Sequence, residues 1–153
     1  MTDQPETLPS TQLLKKGPLS VNPADNKPFT GVAADHYYNG KNPFDISKVK
    51  TRTTFKHGRK DGPWERYYEN GRLHFKKNYK NGKLHGLWEQ FHANGRLEST
   101  GNCKNGKRHG SYEEFHANGQ LYIRRNYKNG RQQGPWEYFR ENGRLESTVN
   151  YKE

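Results

Sequence analysis

Residues 70–95 read NGRLHFKKNYKNGKLHGLWEQFHANG, and residues 94–119 read NGRLESTGNCKNGKRHGSYEEFHANG. Laid over one another, the two stretches share Asn-Gly-Arg-Leu at the start and Lys-Asn-Gly-Lys in the middle, and both close on an aromatic run ending in Asn-Gly. The period is 24 residues, and it extends in both directions. Gly58, Gly82, Gly106 and Gly130 keep it, as do Gly62, Gly86, Gly110 and Gly134, and Gly71, Gly95, Gly119 and Gly143. So do Trp64, Trp88, Tyr112 and Trp136, then Tyr67, Phe91, Phe115 and Phe139, then Leu73, Leu97, Leu121 and Leu145. These twelve are the candidate core. A fixed period of this length marks stacked supersecondary units, none of which can bury its apolar face alone.

Each unit holds two turn signals. Asn-Gly at 70–71, 94–95, 118–119 and 142–143 predicts type I′ hairpin turns, which need positive φ at both central residues. A second, glycine-bounded turn, as in KNGKLHG from Lys80 to Gly86, joins one unit to the next. One unit is then one hairpin, and the chain is all-β, an elongated antiparallel meander. Strict alternation places Leu73, Phe75, Lys77 and Tyr79 on one face and Arg72, His74, Lys76 and Asn78 on the other. It also separates Arg124, on the face of Lys76, from Arg125, on the face of Leu121. Trp64 and Tyr67 stand three apart, so either a bulge realigns them or aromatics cover both faces.

Four regular repeats fill residues 55–153. A degenerate first repeat spans 25–54: GVAADHYYNG aligns with GPWERYYENG, with Ala33 in the tryptophan position and KNPFDIS inserted after Gly40. Residues 1–24 have no period and read as a flexible or capping arm.

Only 28% of the 153 residues are hydrophobic, and mean hydropathy is -1.39. That balance would suggest disorder, but 13% are aromatic and they recur in register, which a disordered chain does not need. The net charge of +11 is uneven. Residues 1–54 carry seven Lys/Arg against five Asp/Glu, net +2, and residues 55–153 twenty against eleven, net +9. The repeats therefore favour acidic partners, although charge also solubilises an exposed sheet. Cys103 is alone, so no intramolecular disulfide forms. No leader is visible in the chain as given, which places it in the cytoplasm, or in the periplasm if a leader has been removed.

Catalytic readings find little. His85 and His109, or His92 and His116, recur one period apart, hence two strands or roughly 9–10 Å, too far to share one zinc. No Gly-x-Ser-x-Gly elbow and no phosphate loop occur. Glu65, Glu89, Glu113 and Glu137 recur as cross-strand partners for Lys and Arg rather than as catalytic carboxylates. Neither an enzyme activity nor a metal or cofactor is expected. Basic strands interleaved with Tyr and Phe would suit nucleic acid, but the aromatics occupy scaffold positions. Departures from the consensus are where specificity resides, which singles out His74, Lys76, Tyr122, Arg124 and Arg125 as partner-binding candidates.

The pattern NGK-x-x-G, Trp-Glu-x-aromatic, Asn-Gly and a strand opening on Leu, with DNKPFTG to YYNG at 25–40, resembles the MORN-repeat variant of the YwqK-like antitoxin family. The resemblance covers residues 25–153. Ala33, the insertion, Cys103 for Tyr, and the basic strands depart from it. It implies a non-enzymatic binding protein that neutralises a bacterial toxin by direct contact, as immunity proteins do. A scaffold on an anionic membrane surface is the alternative it leaves, and nucleic acid a third.

Overall fold

The computed structural model describes residues 7–16, 19–37 and 48–152. The inserted KNPFDIS lies outside the described residues. The arm supplies β1 (Thr7–Pro9), a 3-10 turn at Ser10–Gln12, and the hairpin β2 (Leu14–Lys16) and β3 (Leu19–Val21). The degenerate repeat supplies β4 (Gly31–His36) and β5 (Val49–Lys56). The regular repeats supply β6 (Arg59–Tyr67), β7 (Leu73–Lys80), β8 (Lys83–Leu84), β9 (Gly86–Phe91), β10 (Leu97–Lys104), β11 (Lys107–Phe115), β12 (Leu121–Lys128), β13 (Arg131–Gln132), β14 (Gly134–Phe139) and β15 (Leu145–Tyr151). From β4 to β15 the strands follow chain order in one antiparallel meander, with β8 and β13 as short lead-ins to β9 and β14. At the first edge β1 runs parallel to β4. The fold is the expected all-β meander of 24-residue hairpins, and no α-helix forms among the described residues.

The two turns exchange the geometries that the sequence suggests. At Asn70-Gly71 only glycine has positive φ, +81°. There Gly71 N–H donates to the Tyr68 carbonyl and Tyr68 N–H to the Arg72 carbonyl, enclosing a three-residue loop. Both central residues have positive φ at the joining turns instead: Asn81 and Gly82 at 49° and 80°, Asn105 and Gly106 at 51° and 83°, Asn129 and Gly130 at 51° and 87°. The type I′ turn therefore joins units and does not cap them. Its glycine N–H reaches back one unit, from Gly82 to the Lys60 carbonyl and from Gly106 to that of Leu84, at 2.8 Å each.

A bulge in the second strand of every unit overturns strict alternation. Arg66 faces Phe75 but Tyr67 faces Leu73, so His74 is the extra residue. Glu98, Tyr122 and Glu146 are its equivalents. The slip moves Leu73 and Leu121 off the face of Phe75 and Ile123, because one added residue reverses the side to which a strand points. Leu121 thus lies on the face of Arg124, and the expected sharing with Arg125 is incorrect. Trp64 and Tyr67 do not realign; aromatics cover both faces.

A single-layer sheet has no second layer to bury those rows fully. Of the twelve expected core residues only Trp136 is fully buried, and Leu145, on the last strand, is 54% exposed because no further hairpin covers it. The rest are half-buried. Full burial is concentrated at the ends. Phe29, Ala33 and Phe55 form a cluster under Leu8 and Leu13 of the arm, which cover the small Ala33 where later units carry a ring. Ile123, Tyr127 and Trp136 pack near the other end.

Candidate functional site

The candidate residues divide between the two faces. On one, pairing builds a continuous row across ten strands: Ala34, Arg52, Glu65, Lys76, Glu89, Thr100, Glu113, Arg124, Glu137 and Thr148. Acid alternates with base or a neutral group along it. Arg124 bridges Glu113 at 3.1 Å and Glu137 at 3.4 Å, and the hydrogen bond it donates to Glu113 raises its pKa above the usual guanidinium value. Lys76 stands between Glu65 and Glu89. This face is charge-balanced, not the open basic surface that alternation suggested, and each such pair contributes roughly 0.2–1 kcal/mol to the sheet.

The opposite face carries cations over rings. Arg125 lies over Trp136 at 4.7 Å and Tyr112 at 5.5 Å. Arg108 covers Tyr112 and Tyr127 at 5.1 and 5.2 Å, and the Lys77 ammonium lies 5.5 Å from Trp64. The rings themselves chain together: Trp88–Tyr112 at 5.7 Å, Tyr127–Trp136 at 5.8 Å and Trp136–Tyr151 at 4.6 Å. Gly101 leaves room for this chain, since a Cβ there would meet the Trp88 indole at 3.0 Å. Burial, followed by a hydrogen bond to Glu114, drives the Tyr112 pKa well up. Two buried donors, Arg125 Nε and Trp136 Nε1, find no acceptor among the described residues, an uncommon state for buried groups.

His74 and Tyr122 sit at the bulges, near the hairpin tips. His74 stacks on Tyr68 at 4.2 Å, and burial, then Arg66, lowers its pKa. Tyr122 contacts the His116 ring at 4.8 Å. The structure therefore does not bring the five candidates together. Lys76 and Arg124 share one face, Arg125 has the other, and His74 and Tyr122 mark one edge.

Sequence reasoning missed the opposite edge, although its signal was periodic. Each type I′ turn is flanked by two cations paired directly across the ladder: Lys56 with Arg59, Lys80 with Lys83, Lys104 with Lys107, Lys128 with Arg131. All eight are exposed. Among the described residues Asp61 is the one carboxylate in these turn segments, and it accepts the Asn81 N–H. Like charges directly opposite destabilise a sheet by amounts similar to what opposite pairs contribute. At the tips, by contrast, Arg140 pairs with Glu146 at 3.5 Å and His92 lies 3.6 Å from Glu98. The excess positive charge of the repeats thus falls on the joining edge and the ring face.

A family model described as MORN repeat variant matches residues 60–81, 84–105, 108–129 and 132–153, one match per regular hairpin. No curated protein matches the chain. With more than half of its length matched in four copies, the chain belongs to the MORN repeat variant family, whose repeats suggest a binding or scaffold role.

Proposed function

We propose that this protein is a non-enzymatic binding protein that neutralises a partner protein of the bacterial toxin class by direct contact, as an immunity protein does. The partner presents acidic groups to the face of Trp64, Trp88, Tyr112 and Trp136. The observation carrying this reading is the interleaving of Lys77, Arg108 and Arg125 with that aromatic row. Trp, Tyr and Arg are the side chains that dominate protein interfaces. The charge-balanced face offers no comparable excess.

The test is co-expression with the toxin-type product of an adjacent gene. Growth should be protected by the wild-type chain and by Arg124→Glu, and lost with Lys77→Glu combined with Arg125→Glu, while circular dichroism stays that of a β-sheet. Failure of the wild-type chain to bind or protect would refute the reading. Loss with Arg124→Glu alone would move the contact to the other face.

A further inference from the structure

We propose a second contact surface, the joining-turn edge, which takes an extended acidic segment of a partner protein with a carboxylate at about every third residue. This rests on the reading above that the partner is an acidic protein. The first argument is electrostatic. Four successive turns place like charges directly opposite one another, as in Lys80 with Lys83 and Lys104 with Lys107, where a neutral or opposite pair would stabilise the same turn. A local rule broken in the same way in every unit points to a use for the charge. No carboxylate of the described residues bridges Lys80, Lys83, Lys104 or Lys107.

Spacing and shape select the occupant. Successive turns stand two strands apart, roughly 9–10 Å, and a chain in the extended polyproline II conformation covers that distance in about three residues at about 3.1 Å each, with every third side chain on the same side. A sheet twists by about 20–25° per strand, so the edge rises as a ramp turning about 40–50° per unit. A flexible polypeptide follows such a ramp. A planar vesicle or a stiff duplex meets only a unit or two at once. None of the large exposed apolar side chains, Leu14, Leu87, Tyr122, Leu145 and Val149, belongs to these turn residues, so the edge offers no exposed apolar anchor for lipid.

The test uses the full chain and two synthetic 15-residue peptides of identical composition, one with glutamate at every third position and one with the same glutamates clustered. The spaced peptide should bind several-fold more tightly than the clustered one, and weaken as salt rises. The quadruple variant Lys80→Gln, Lys83→Gln, Lys104→Gln, Lys107→Gln should lose at least tenfold in affinity while its melting temperature does not fall. Lys77→Glu with Arg125→Glu should weaken peptide binding by less than twofold. Equal binding of the two peptides, undiminished binding by the quadruple variant, or binding to anionic vesicles or duplex DNA without binding to the spaced peptide would each overturn the proposal. The assay contains no toxin, so its failure leaves the ring-face reading standing. Loss of growth protection by the wild-type chain, with peptide binding intact, fails that reading alone.

Discussion

Each regular unit turns the chain twice, in three of them on the same dipeptide both times, and the two turns differ in conformation, partners and charge. At the tip, Asn70 works through its side chain: Oδ1 accepts the Arg72 N–H and Nδ2 donates to the Ala93 carbonyl of the next hairpin, both at 3.0 Å. At the joining turn, Asn81 works through its backbone, with φ at 49°, a value that Asn tolerates better than most residues. The tip is mixed in charge and tied to the next hairpin through side chains, and the joining turn is basic and tied to the preceding unit through its backbone N–H groups. An Asn-Gly signal therefore specifies that the chain turns, and the surroundings decide how. Where the flanking residues continue a tight two-residue ladder, as Lys80 and Lys83 do, the primed turn forms. Where the next hairpin offers a carbonyl to the side chain, the longer loop forms.

The largest effect expected along the joining edge is at its first turn. Gly58 has φ of +75°, and a Cβ there would stand 2.7 Å from the Ser20 carbonyl oxygen. Gly58→Ala should therefore cost about 3 kcal/mol, from left-handed strain of about 1–2 kcal/mol plus detachment of the arm. Gly82→Ala, with nothing within 4 Å of its Cβ, should show the strain alone. Urea denaturation of both variants checks this, and equal losses would show that the arm does not rest on that turn.

A smaller effect separates the two asparagines. Asn81→Gly should change stability by less than about 0.5 kcal/mol, because glycine accepts positive φ readily. Asn70→Gly should lose about 1 kcal/mol, the typical value of a net hydrogen bond. A reversal of that order would show that the tip side chain contributes nothing to the stacking of units.

The smallest effects should have opposite signs at the two edges. Lys80→Gln removes a like-charge pair and should raise stability slightly, by a few tenths of a kcal/mol, read as a higher melting temperature. Arg72→Gln removes a guanidinium that donates to the Ala93 carbonyl at 3.2 Å and should lower it by a similar amount. The Lys80→Gln gain should fade at high salt, where surface charges are screened. Destabilisation by Lys80→Gln would mean that the lysine stems pack on the turn rather than repel.

The sequence by itself determined the repeat, its period, the number of hairpins and their order, because glycines with positive φ and aromatics in register leave a meander as the economical solution. It also determined that Glu65, Glu113 and their equivalents would lie beside cations, since recurrence at one repeat position forces cross-strand neighbours. Only the tertiary structure decided which face each side chain takes. A single extra residue, at His74, Glu98, Tyr122 and Glu146, inverts the leucine row, and nothing in the composition of those four residues announces a bulge. Among the candidates the error stops at the bulge: His74 and Tyr122 occupy the extra position, while Lys76 and Arg124 lie on one face and Arg125 on the other. The basic edge was present in the sequence as a lysine after each of Phe55, Tyr79, Cys103, Tyr127 and Tyr151. It became a surface only when the type I′ turns set a second cation opposite four of those lysines and stacking brought successive turns to roughly 9–10 Å of one another.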